Sequence, residues 1–228
     1  MKKLFTFLLL STLLIGCKDN SKNSESDESI VVDSTSVEVP VTTKLANANG
    51  MEQFKQLNQL DFTFNVSVNG EVRSQRDWKW SPKTNKVILS EKGETFSYTK
   101  GESLDSTAMA ADQKFINDTY WLLFPYQLMW STYEFEPVQT ATAPISNTEM
   151  QQLIINYKGN GGYTPGDTYK LYYGDDYMIK EWTYVSSDGR ELTTTWEDYE
   201  TFKGVPIAKM HKSADSTFQL YFTNIKAE

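Results

Sequence analysis

The chain has 228 residues, with 22 basic against 30 acidic side chains, one histidine (His211) and one cysteine (Cys17). Those counts exclude an intrachain disulfide and a multi-cysteine or multi-histidine metal site, and any Ser-His-Asp triad would have to use His211. No basic patch is dense enough to attract phosphate backbones, so nucleic acid is not an expected partner, while the aromatic share of 14% suits a β-rich fold.

Residues 1–17 carry the most specific signal. Lys2 and Lys3 form a positive start, and residues 4–14 form an apolar run too short to span a bilayer. Leu14-Ile15-Gly16-Cys17 then matches the lipobox of bacterial signal peptidase II. Residues 1–16 read as a lipoprotein signal peptide, and Cys17 as the site of a thioether-linked diacylglycerol and an N-acyl chain such as palmitate. Two or more buried chains, at roughly 0.8 kcal/mol per CH₂, give stable anchoring. Apart from these covalent lipids no cofactor and no metal is expected. Losing Lys2 and Lys3 leaves 20 basic against 30 acidic side chains, a balance of −10. The membrane is therefore held through lipid rather than through basic residues. The expected location is the cell envelope, lipid-anchored at the outer membrane, on its periplasmic face or at the cell surface.

Residues 17–44 read as the lipidated cysteine and a disordered tether, because 18–29 contain no apolar residue able to offset ordering entropy. A single folded domain is expected over residues 45–228. Met51, Phe54, Leu57 and Leu60 fall at helical spacing, which predicts a weak helix over 46–60 with Gly50 loosening its first turn. From Asp61 the period changes to two. Phe62, Phe64, Val66 and Val68 alternate with polar residues up to the hairpin signal Asn69-Gly70. Trp78 and Trp80 share a face of the next strand, and strands at 86–90 and 95–100 complete a four-stranded meander. Residues 101–113 break the pattern.

The densest apolar stretch is 115–130. Asp118 or Thr119 is placed to cap a short helix running to Phe124, which Pro125 kinks or ends. Strands are then expected at 153–158, 169–173, 178–184, 191–199 and 207–211, with a last one carrying Phe218, Leu220 and Phe222. About ten short strands with turn signals between them predict one antiparallel sheet or open barrel.

Several features together resemble a known group. They are the tryptophan strand (Trp78, Trp80), Ile116-Asn117-Asp118 with Tyr120 to Pro125, the turn around Tyr163-Thr164-Pro165-Gly166-Asp167, Ile179-Lys180-Glu181-Trp182, and Trp196-Glu197-Asp198-Tyr199 before Gly204-Val205-Pro206-Ile207. In this the chain resembles uncharacterised Gram-negative envelope lipoproteins whose fold is related to the LolA/LolB-type lipoprotein carriers. The resemblance covers most of residues 46–225. It implies a mainly β (α+β) fold: a single strongly curved antiparallel sheet, an unclosed barrel, with one or two short helices against its concave face, which shelters acyl chains. The carrier arginine that helps control the lid has no match here, so the resemblance does not imply lipoprotein trafficking.

The reading that follows is a non-enzymatic envelope lipoprotein that binds a lipid or other amphiphile. Its candidate ligand-binding residues are Trp78, Trp80, Trp121, Leu122, Phe124, Tyr126, Trp182, Tyr184 and Trp196. Lys180, on the strand face of Trp182 and Tyr184, supplies a polar contact for a head group. The same segment 115–130 serves either as a lid or as permanent core, and the tryptophans either line a pocket or pair across strands. The alternative is a structural or protein-interaction module with a filled core, whose protein partner no motif identifies. The weakest reading is a hydrolase built on Glu181, Glu197, Asp198 or Glu200, which are more simply acids on an exposed strand face. Asp167, Asp175 and Asp176 lie in turns that they stabilise through their own backbone. His211, beside Lys209 and Lys212, is expected at the surface.

Overall fold

The computed structural model describes residues 38–158, 163 and 165–228. The signal peptide, the lipobox with Cys17, and the tether up to residue 37 lie outside the described residues. Glu38–Glu228 is a compact unit with its own hydrophobic core.

Helix α1 (Val41–Ala48) begins four residues ahead of the boundary expected at Leu45, and Thr42, Leu45 and Ala46 are buried. The expected helix over 46–60 is two pieces. Gly50, at φ +82°, separates α1 from the single turn α2 (Met51–Phe54). A Cβ at Gly50 would stand 2.5 Å from the Gly204 carbonyl oxygen, so glycine is required both for the left-handed backbone and for the close approach. Met51, Phe54, Leu57 and Leu60 are nevertheless all buried, as their spacing indicated.

The meander forms as expected: β1 (Leu60–Val68), β2 (Glu71–Ser81), β3 (Lys86–Glu91) and β4 (Glu94–Thr99). β1 lies between β2 and a C-terminal strand, β13 (Phe218–Ala227). It is hidden on both faces. Phe62 and Phe64 enter the core, while Thr63 and Asn65 are covered by a polar ladder: Thr63 Oγ1 donates to Asp77, and Asn65 bonds Gln75, Thr223 and the Tyr221 carbonyl. Alternation alone implied a half-buried strand; cross-strand polar partners account for the difference.

Between β4 and the second half runs α3 (Ser106–Trp130), 25 residues long. It starts well before the expected cap, because the Asp105 side chain accepts the Ala108 N–H at 2.8 Å. Asp118 and Thr119 are interior. The helix is kinked where Leu123 leaves helical geometry (φ −134°, ψ 33°), next to Pro125, which has no N–H for the carbonyl of Trp121.

The second half contains β5 (Glu134–Phe135), β6 (Gln139–Thr142), β7 (Glu149–Asn156), β8 (Thr168–Tyr173), β9 (Ile179–Val185), β10 (Glu191–Thr195), β11 (Glu197–Phe202) and β12 (Val205–Lys212), before β13. The short β5 and β6 were not expected. All pairings are antiparallel. Seven strands order as β11-β12-β13-β1-β2-β3-β4; six form β10-β9-β8-β7-β5, with β6 also on β7. The two sets meet at Trp196. The strand expected over 191–199 changes partners there: the Trp196 N–H donates to the Lys180 carbonyl at 2.7 Å, while β11 pairs with β12. Asp198, at φ +56°, adds a local bend. The Lys212 N–H donates to Thr195 Oγ1 at 3.0 Å across the junction. The result is the expected mainly β architecture, antiparallel and not closed into a barrel; in place of one sheet with short helices there are two sheets, because the strand path breaks at Trp196, and the 25-residue α3 packs against both through Trp78, Trp80 and Trp182.

Candidate functional site

A cavity of about 950 Å³ runs along one face of α3. One wall comes from α2 and the meander, through Phe54, Trp80, Lys83 and Lys100. The other comes from β8–β10 and the residue after β7, through Tyr157, Tyr169, Trp182, Tyr184 and Leu192. The helix contributes Asp112, Ile116, Tyr120 and Trp130. Leu122, Leu123, Phe124 and Leu128 do not line the cavity and are buried in the core. Segment 115–130 is thus part core and part cavity wall.

Two aromatic groups build the walls. Trp80 has its ring centroid 5.3 Å from those of both Phe54 and Phe115, and Trp130 lies 5.4 Å from Phe54. Trp182 has Trp121 at 4.6 Å and Tyr169 at 5.2 Å, and Tyr184 lies 5.3 Å from Tyr169. Tilted and edge-on contacts of this kind each add roughly 0.5–1.5 kcal/mol beyond burial. The indole N–H groups of Trp80 and Trp182 have no hydrogen-bond partner among the described residues. An unmet buried donor costs about 1–3 kcal/mol.

Of the nine residues expected to bind a ligand, Trp80, Trp121, Trp182 and Tyr184 line the cavity. Trp78, Leu122, Phe124, Tyr126 and Trp196 do not. Trp78 Nε1 donates to Asp118 at 2.7 Å. Tyr126 donates to the Asn49 carbonyl, tying α3 to α1. Leu122 is buried in the core, Phe124 packs on Tyr169 and Trp182, and Trp196 packs on Trp182 and His211. Period-two and helical spacing put apolar residues inside but do not separate close-packed interior from wall. Lys180 is also away from the cavity lining and pairs with Asp176 at 2.9 Å.

α3 also carries a buried ion pair, outside the cavity lining. Asp118, fully buried, accepts from Arg76 Nε at 2.8 Å and Nη2 at 2.6 Å, from Trp78 Nε1, and from Asn117 Nδ2 at 3.0 Å. Burial pushes its carboxyl up, and the Arg76, Asn117 and Trp78 donors pull it back. Every neighbour in that set is a donor, so the geometry suits the ionised carboxylate. The pair joins β2 to α3 and holds the helix in register with the meander.

The other acids are engaged in the fold. Glu181 is buried, not exposed as expected. Its carboxylate accepts the backbone N–H groups of Ile145 and Ser146 at 2.7 and 2.8 Å. Glu197 pairs with Lys212, and Asp198 and Glu200 with Lys209. Asp176 accepts from Met178 N–H and Lys180, and the buried Asp167 from Ser187 N–H at 3.2 Å.

His211 is likewise not at the surface. It is fully buried against the rings of Trp121, Trp196 and Phe222. Its Nδ1 lies 3.2 Å from the Thr195 carbonyl, which assigns the proton of the neutral ring to Nδ1. Burial pushes its pKa down to about 3, against the pull of the Thr195 and Trp121 carbonyls. Flanking lysines suggested exposure; Val205, Ile207 and His211 share the period-two face that is buried, but Lys209, on the same spacing, interrupts that signal.

Lys100, Tyr120, Tyr157 and Tyr169 are lining residues the sequence reading missed. Phe96, Tyr98 and Lys100 recur with period two, which alone would have set Lys100 on the inner face of the meander.

No known family model matches the chain, and no curated protein sequence does. Among solved structures it is similar to a DUF1329 family protein from Desulfovibrio piger, at 12% identity and a TM-score of 0.44, over 84% of this chain and 94% of that chain. No helix among the described residues is long and apolar enough to cross a membrane.

Proposed function

We propose that this chain is a non-enzymatic envelope lipoprotein, held at the outer membrane by acyl chains on Cys17, that binds one amphiphile in the cavity along α3. The observation that carries this reading is the cavity itself. About 950 Å³ lies at the top of the range for small-ligand sites, roughly 300–1,000 Å³. Its walls are tryptophan, tyrosine and phenylalanine, which combine apolar faces with scattered polar groups.

The test is native mass spectrometry of residues 38–228 recovered from a Gram-negative periplasm, together with displacement of the neutral dye Nile red by long-chain amphiphiles. A lipid-mass adduct, or displacement in the micromolar range, is expected. Leu192→Trp, which fills the cavity from β10, should abolish both while leaving a cooperative thermal transition. A wild-type domain that shows neither adduct nor displacement overturns the reading. The anchor is tested separately: radiolabelled palmitate should enter the full chain and be lost in Cys17→Ala.

A further inference from the structure

We infer that Lys100 is the recognition point for the head of the bound amphiphile, and that the ligand is a single-chain amphiphile carrying a negative charge. This rests on the cavity reading above. Lys100 directly follows β4. Its backbone N–H donates to the Asn85 carbonyl at 2.9 Å, which fixes it against the β2–β3 turn. The side chain is partly buried and lines the cavity, with Nζ 4.9 Å from the centre of the Phe115 ring.

Among the described residues this ammonium has neither an ion pair nor a hydrogen bond. The other two cavity lysines do: Lys55 reaches Glu52 at 2.6 Å, and Lys83 donates to Asn58 at 2.8 Å. The acid nearest in effect is Asp112, which also lines the cavity. Both of its oxygens are taken, Oδ1 by the Tyr98 hydroxyl at 3.0 Å and Oδ2 by the Tyr163 hydroxyl at 2.7 Å. In a chain with more acids than bases, Lys100 thus stands in the aromatic cavity with no ion-pair partner among the described residues: Asp112 acts on it only at a distance and bonds to tyrosines, and Asp167, which also lines the cavity, makes no pair with it. A half-desolvated cation is costly unless an anion meets it, and burial does push this ammonium's pKa down. An incoming carboxylate or phosphodiester supplies the missing charge, and the aromatic walls take the chain. The volume suits one acyl chain with its head.

The experiment displaces Nile red from residues 38–228 with laurate, dodecanol and dodecyltrimethylammonium, each below its micelle threshold. Laurate should bind at least tenfold more tightly than dodecanol, a difference of about 1.4 kcal/mol, and the cation most weakly. Lys100→Gln should bring laurate to within threefold of dodecanol without changing dodecanol, and Lys100→Arg should keep the preference. Lysophosphatidylglycerol, with a phosphodiester of the same charge, distinguishes the two head chemistries. Lys100 dependence in either ligand supports the inference and identifies the head. Equal affinity of wild type for laurate and dodecanol overturns it without recourse to any variant. So does a preference that survives in Lys100→Gln, and in both cases the cavity reading stands. Displacement by none of the ligands removes that reading and this inference with it.

Discussion

His211 should make the stability of this domain fall steeply between pH 7 and pH 5. It is the only histidine, and no aspartate or glutamate of ordinary pKa titrates far in that window. In the folded chain burial holds its pKa at about 3; in the unfolded chain it returns to the ordinary 6.5 of an exposed histidine. The unfolded state therefore binds the extra proton, so the contribution is fully present above pH 6.5 and is lost as pH falls toward 3. Linkage between those two values gives a loss of about 2 kcal/mol from pH 7 to pH 5. For a domain of this size that is a fall in Tm of about 4–8 °C. The assay is urea unfolding of residues 38–228 at both pH values, for wild type and for His211→Leu. The substitution leaves a packing defect against Trp121, Trp196 and Phe222, but that cost is the same at both pH values and cancels in the difference. The variant should lose almost nothing between pH 7 and pH 5. Equal losses in the two proteins would refute the assignment of His211 as a buried, neutral ring.

Asp118→Asn should destabilise by about 3–5 kcal/mol, since it leaves the largely buried Arg76 guanidinium with only its longer 4.0 Å approach to Glu91; replacing both by apolar residues (R76M with D118L) should recover much of the loss, which denaturant titration would read. Gly50→Ala should cost clearly more than Gly70→Ala. Both glycines have positive φ, worth about 1–2 kcal/mol to an L-residue, but only at Gly50 would the new Cβ meet a carbonyl oxygen; equal Tm shifts would count against a tight α1–α2 junction.

Local pattern determined much of this protein. Alternation at Phe62 and Phe64, the Asn69-Gly70 turn and the Trp78/Trp80 face gave the meander, because a strand's side-chain period and its turn chemistry are properties of neighbouring residues. The buried set Met51, Phe54, Leu57 and Leu60 followed from spacing even though the helix carrying it ends at Phe54. Contacts distant in sequence decided the rest. Asp118 is not a cap because Arg76 and Trp78, about forty residues earlier, satisfy it inside the fold. Glu181 is buried because Ile145 and Ser146 turn their N–H groups toward it. The strand over 191–199 divides at Trp196 because Lys180 and Met210 compete for its two ends. Which tryptophans line the cavity also lay beyond local pattern: Trp78 and Trp80 share a strand face, yet only Trp80 reaches open space, since Asp118 draws Trp78 into the interior. Period two and period 3.6 tell which side of an element faces in. Where opposing elements fail to meet, and so leave a cavity with Lys100 at its wall, is set by the packing of α3 between two groups of strands.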